Sequence, residues 1–348
     1  MKASNWILAL ALAATSTSAA THTHGTHGGH SSHGAHGSSW GDDWGIVAEG
    51  RFEKSLSVSG AVNLDVKTNW GSVDVRTGDG STVRVVGIVK ARKYSKSEAE
   101  SRIAEITKNP PIKQTGNTIT IGFDNDMWDH EERNRIGISY ELIVPANTQL
   151  RSATGSGSMT IAGVAGSFEG STGSGSITVS NLGADARVNT GSGSLNLNGV
   201  KGALRASTGS GSIRGGGIGG SISATTGSGS IELAQAGSGN VEVSTGSGSI
   251  TIDGVKGALR ARTGSGGIRV SGEPLGEWNV RTGSGTIRAK LPANASFDLH
   301  AETNSGRVYT DHPVTLQGSF GKRELRGKVR NGGPLLDLST SSGSIHIE

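Results

Sequence analysis

A five-residue motif, Thr-Gly-Ser-Gly-Ser, returns along this chain at near-constant intervals, and that period limits the fold more than any other feature. It starts at Thr154, Thr172, Thr190, Thr208, Thr226 and Thr245, then continues as Thr-Gly-Ser-Gly-Gly at Thr263 and Thr-Gly-Ser-Gly-Thr at Thr282. Looser copies stand at Thr68, Thr303 and Thr340. From Thr154 to Thr282 the intervals are 18, 18, 18, 18, 19, 18 and 19 residues. A fixed period of about 20 residues marks one small unit stacked many times.

Counting from each threonine sorts the residues into columns. Four before it stand Leu150, Phe168, Ala186, Leu204, Ile222, Val241, Leu259 and Trp278; two before it the residues are small. Five after it stand Met159, Ile177, Leu195, Ile213, Ile231, Ile250, Ile268 and Ile287, and seven after it a mostly aliphatic column from Ile161 to Ala289. Alternation of this kind predicts two short strands per repeat, each with one face inward. A further inward column, ten after the threonine, runs Val164, Leu182, Val200, Ile218, Ala236 and Val255. One such coil cannot bury its apolar face alone. Stacked coils can, and they also pair each backbone group with the coil above and below. The predicted fold is all-β: a single-stranded parallel β-helix (β-solenoid) of about 18 residues per coil.

The third residue after the threonine is glycine in all eleven copies. In the main array these are Gly157, Gly175, Gly193, Gly211, Gly229, Gly248, Gly266 and Gly285. A positive φ or a close approach of neighbouring coils accounts for them. The first residue after the threonine is also glycine, except at Asn69, Asn304 and Ser341, which suggests a left-handed turn.

The chain divides into three parts. Residues 1–20 read as a signal peptide: Lys2, then the apolar run Ile7–Ala14, then the small residues Ser18, Ala19 and Ala20. Eight apolar residues are too few for a permanent membrane span, and no later stretch is long and apolar enough to be one. Residues 21–45 form a His-rich tail of disordered composition. It carries His22, His24, His27, His30, His33 and His36, five of them at intervals of three, which suits one edge of a polyproline II helix. Two readings stay open, a polar tether with no ligand and a Zn, Ni or Cu site. Residues 46–348 form the solenoid, with the main coils over 150–310. Ser95 and Glu98 form a capping box that opens one short inserted helix over 96–108; Pro110 and Pro111 close it. The acidic run Asp124–Glu132 reads as a solvated loop, since Asp129 stands where a calcium loop needs glycine.

Both ends of a solenoid expose unpaired strand edges. The inserted helix and its flanking strands are the expected cover at the N-terminal end. At the other end, Ile345–Glu348 reads as the last coil, and residues 311–348 as a cap plus that coil. Val314, Leu316, Phe320, Leu325 and Val329 are the residues expected to fold over it, the alternative being an edge open to a partner strand.

The export signal, the segment Tyr140–Thr148 (Tyr-Glu-Leu-Ile-Val-Pro-Ala-Asn-Thr) entering the repeats, and the closing Thr340–Ile347 coil together resemble a bacterial family of adhesin-labelled β-strand repeats whose domain has no assigned function. The resemblance covers residues 46–348. It implies a right-handed, exported β-helix and hands over no catalytic residues.

Composition narrows the function. A net charge of +4 on 348 residues does not argue for nucleic acid. The absence of cysteine excludes disulfides and a lipidated cysteine anchor. The Gly-Ser-Gly runs lead into strands, so they are not phosphate loops. The acids of the array fall in different columns, with no pair spaced for glycoside hydrolysis. No catalytic residues and no cofactor are expected, apart from a metal on the tail. Arg262, Arg269, Arg281 and Arg288 make the outer face basic, which suits either an anionic glycan or plain solubility. The expected protein is a non-enzymatic adhesin or envelope interaction component located in the periplasm, at the cell surface or outside the cell. The alternatives are an envelope metal-binding protein and a glycan-binding or glycan-processing β-helix.

Overall fold

The computed structural model describes residues 45–78, 80–122, 130–316 and 321–348. The signal peptide, all six tail histidines, most of the acidic run and Phe320 lie outside the described residues.

Each repeat contributes one strand to each of two sheets. The strand that ends on the repeat threonine joins a 15-stranded sheet, here the threonine sheet. The strand that begins five residues later joins a 14-stranded sheet, here the isoleucine sheet. In the array, strands pair in parallel and in strict register: Phe168 opposite Leu150, Thr172 opposite Thr154, Ile177 opposite Met159. The predicted inward columns are the core. Ile231 is 1% exposed, whereas its neighbour Glu232 is exposed and lies 3.7 Å from Arg214.

One column is corrected. At the tenth position of the Thr226 coil, Ala236 is exposed and Gln235 turns inward instead. Between Gly215 and Ile218 the preceding strand carries one residue more than its partner, so the register shifts and Ile218 stands opposite Gln235. The buried Gln235 amide replaces the missing backbone pairing. It donates to the Gly220 and Gly239 carbonyls and accepts from the Lys256 N–H.

The glycine columns have a steric cause. A Cβ at Gly175, Gly193 or Gly211 would sit 1.9 Å from the carbonyl oxygen of the matching glycine one coil earlier. The column directly after the threonine is corrected from a left-handed turn to the same close approach. A Cβ at Gly173 would meet the Gly155 oxygen at 2.4 Å, and neither Asn69 nor Asn304 has a positive φ.

The N-terminal end is built as expected, with one addition. The helix spans Lys96–Lys108, its Ser95–Glu98 capping box is present, and Ala99, Ile103 and Ile106 are buried. A second helix, His130–Arg135, was not foreseen. Thr118–Gly122 and Ile136–Pro145 extend the two sheets beyond the Thr68 coil. Thr82–Arg92 and then Ile46–Ser57 continue the isoleucine sheet antiparallel.

The C-terminal end overturns the expected order of coils. Leu335–Ser342 lies between Trp278–Ser284 and Phe297–Ser305, in parallel with both. Ile345–Ile347 likewise lies between Ile287–Lys290 and Val308–Thr310. The last coil in sequence is therefore an interior coil, and the coil of Thr303 ends the stack. Intercalation explains the apolar pattern: Leu336, Leu338, Ile345 and Ile347 are at most 1% exposed, and their strands are paired on both edges. Glu324–Val329 pairs antiparallel with Phe297–Ser305, and Val314–Leu316 pairs with Glu324–Val329. The expected cover exists, but it caps the Thr303 coil. Leu325 and Val329 are buried in it, Val314 is half-buried and Leu316 stays exposed.

Cysteine pairs test this order in a chain that has no cysteine of its own. Arg281, Ser339 and Glu302 share one outward column. Neighbouring strands are about 4.8 Å apart, within the Cα range of about 4.4–6.8 Å that a disulfide needs. Arg281→Cys with Ser339→Cys should oxidise readily on non-reducing gels, and Arg281→Cys with Glu302→Cys should not. The reverse result would put the coils in sequence order.

Candidate functional site: the outer ladders at the C-terminal end

A parallel, in-register stack turns each outward position into a row of side chains about 4.8 Å apart. On the threonine sheet, the row three residues before the threonine runs Asp65, Arg151, Glu169, Arg187. Glu169 accepts from Arg151 through both Nε and a terminal nitrogen, at 3.1 and 2.8 Å. This exposed pair contributes roughly 0–1 kcal/mol.

Near the C-terminal end the same row reads Asn279, Asp337, His300, because the coils are intercalated. Asp337 is the hub. One carboxylate oxygen accepts from Asn279 at 2.9 Å and from Arg281 at 3.0 Å, while the other lies 2.9 Å from Nδ1 of His300. Nε2 of His300 lies 3.0 Å from a terminal nitrogen of Arg326 on the capping strand. A guanidinium can only donate, so Nε2 carries the lone pair and Nδ1 donates its hydrogen to Asp337. The network ties four adjacent strands together. It also bears on catalysis. An Asp–His pair is two-thirds of a nucleophile-activating triad, but the outer ring nitrogen that would take the proton is already occupied by Arg326.

The structure does not bring the four expected arginines together. Arg262 and Arg281 are register neighbours on the threonine sheet. Arg269 and Arg288 are register neighbours on the isoleucine sheet. Arg281 is engaged by Asp337, with 52% of its side chain still exposed. In the isoleucine sheet the row of Arg269 and Arg288 continues into His346 and Tyr309, whose rings stack at 4.8 Å with a 16° interplanar angle.

Two shallow grooves mark these faces. One, of about 520 Å³, lies on the threonine sheet by Asp65, Arg151, Glu169, Asp185, Arg187 and Arg205. The other, of about 620 Å³, lies by Arg269, Arg288 and Lys290. Among the described residues, no group of three or more His, Asp or Glu could hold a metal ion, and no helix is long and apolar enough to cross a membrane. The eight expected glycines act within the frame, each against the preceding coil, and line neither groove.

Asp337 and His300 escaped the sequence reading, yet a signal existed. Each stands three residues before a loose-copy threonine, Thr340 and Thr303. Extending the columns to those copies places both on the arginine row.

Removing the hub should leave His300, Asn279 and Arg281 without their shared acceptor. Asp337→Ala should lower stability by about 1.5–3 kcal/mol, the range for hydrogen bonds to a charged group. Arg326→Ala, at the exposed end of the chain of contacts, should cost under about 1 kcal/mol. Chemical denaturation checks both.

No curated protein matches this chain. Three solved structures are similar over 86% of it. A "putative cell adhesion protein" of Clostridium sporogenes has 13% identity, a TM-score of 0.24 and 99% of its own length covered. A "putative adhesin" of Bacteroides fragilis has 11% identity, a TM-score of 0.28 and 97% covered. Another of Parabacteroides distasonis has 12% identity, a TM-score of 0.32 and 97% covered. The model of the Toastrack DUF4097 family, in contrast, matches residues 61–348, nearly the whole two-sheet stack, and the chain belongs to that family.

Proposed function

We propose that this protein is an exported, non-enzymatic β-solenoid that works by surface contact, as an adhesin or as an interaction component of the cell envelope. The observation that carries the reading is the division between frame and face. The inward columns and the glycines are fixed by packing, while the outward rows vary freely and present charged groups at fixed spacing on a rigid support. The engaged ring of His300 supports a binding role over catalysis. Lys2, the apolar run to Ala14 and the small residues to Ala20 support export, to the periplasm, the cell surface or beyond.

A second reading rests on the tail. His24, His27, His30, His33 and His36 recur every third residue, a spacing that favours shared ligation of Zn, Ni or Cu. It is compatible with the first, the solenoid then displaying a metal-binding tail.

The test is binding without turnover. Purified mature protein should retain envelope polysaccharide or protein on an affinity support and release no new reducing ends from glycans. Its N-terminus in fractionated cells should lie at Thr21. Turnover of a bound glycan, or an uncleaved protein confined to the cytoplasm, would contradict the reading.

A further inference from the structure

The groove on the isoleucine sheet exists because of how the stack ends. It crosses four successive strand positions, from Asp253 through Arg269 and Arg288 to Glu348, a span of about 14 Å or three strand spacings. At Leu291 and Pro292 the chain leaves its regular path, since the coil of Thr340 occupies the next level. Leu291 is buried there, and the exposed Pro292 forms an apolar border to the groove.

Its cations have no ion-pair partner among the described residues. Arg269 and Arg288 stand directly opposite each other in register, and both are exposed. Like charges placed so are destabilising. Neither arginine, nor Lys290 beside them, enters an ion pair with any described residue. Other outward arginines are mixed: Arg151 is paired with Glu169, Arg214 with Glu232 and Arg281 with Asp337, while Arg187 and Arg205 on the threonine sheet are register neighbours that likewise enter no ion pair with a described residue. The stack thus holds three cations without ion pairs to described residues in one groove, on a rigid sheet that need not be ordered on binding.

The rest of the lining narrows the ligand. Asp253 accepts from the Ser271 hydroxyl at 2.7 Å through one oxygen, leaving the other free, and Glu348 is exposed at the far end. Acids beside cations suit a molecule that carries both carboxylates and hydroxyl donors. They oppose a uniform polyanion such as nucleic acid. A saccharide ring adds an apolar face for the exposed Pro292.

We propose that this groove binds an acidic polysaccharide of the uronic-acid type along the stack axis. Arg269 and Arg288 hold sugar carboxylates by their planar forks. Asp253 and Glu348 accept hydroxyl hydrogen bonds, and Pro292 lies against a ring face. The proposal rests on the reading of this protein as one that works by surface contact, and names the ligand class for one face.

Calorimetry with the purified protein tests it, using polygalacturonate oligomers as the probe and galacturonic acid monomer, neutral dextran, heparin and anionic phospholipid vesicles as comparators. The wild-type protein should bind the oligomers in a salt-sensitive manner, more tightly than the monomer, and should not bind dextran. Arg269→Gln with Arg288→Gln should weaken binding at least about tenfold. Lys54→Gln with Lys108→Gln, at the N-terminal end and outside both grooves, should leave it unchanged. Arg288→Gln alone repeats the test if the double variant is poorly folded. The proposal is overturned by no oligomer binding, by binding that the Arg269 and Arg288 changes do not weaken, or by equal or tighter binding of heparin or vesicles through the same arginines. In any of these outcomes, retention of envelope material by the same protein preserves the surface-contact reading; loss of that retention as well removes it.

Discussion

The stack depends on one buried hydroxyl per coil. The side-chain oxygen of each of the eleven repeat threonines donates to a backbone carbonyl of the preceding level, from Thr68 on Ile138 to Thr303 on Gly343. From Thr154 to Thr245 the same oxygen also accepts the N–H of the glycine three residues on. The threonine thus closes its own turn and fastens that turn to the one before. The reach is short, so the turns must nearly touch, and a Cβ at the glycine would occupy the place of the carbonyl. Threonine and glycine recur together because each is needed for the other. From Thr263 onward the turn changes. The Gly266, Gly285 and Gly343 N–H groups bond to serine carbonyls of the next level, yet the threonine donation to the preceding level persists. The contact between levels is therefore the constant feature and the closure within the turn is the variable one.

Ends are the weak points of such a stack, and this chain handles both in the same way. The coil of Thr68 lies between the Thr154 coil and the level built from Thr118–Gly122 and Ile136–Pro145. The coil of Thr340 lies between those of Thr282 and Thr303. In each case a coil near a chain end is paired on both edges, and antiparallel strands close the level beyond it. This device creates the most distinctive surface chemistry. It brings Asp337 beside Asn279 and His300, and it sends the chain out at Leu291 beside Arg269 and Arg288.

Much of this was legible in the sequence, for identifiable reasons. A column of eight large aliphatic or thioether residues from Met159 to Ile287 has no explanation other than an inward row, and Glu98 three residues after Ser95 marks a helix start. What stayed hidden depended on spatial order. Strand alternation shows which way Leu336 points, but nothing local shows which coil it rests on. The same limit placed Arg262 and Arg269 on one face, although they belong to the strands before and after the turn. Gln235 stayed hidden because an extra residue in the neighbouring strand shifts the register there, and a polar amide does not advertise that it will bury itself among carbonyls.

The account stands most directly on the threonine contact, and one substitution isolates it. Thr208 donates to the Gly193 carbonyl at 2.9 Å and accepts the Gly211 N–H at 3.1 Å. Thr208→Val keeps the shape, removes the hydroxyl and strands both buried groups. Chemical denaturation should show a loss of about 2–4 kcal/mol for this variant. Thr208→Ser, which keeps the hydroxyl and removes one methyl, should lose only about 1 kcal/mol. A valine variant as stable as the wild type, or no less stable than the serine variant, would contradict the claim that this hydroxyl holds the levels together.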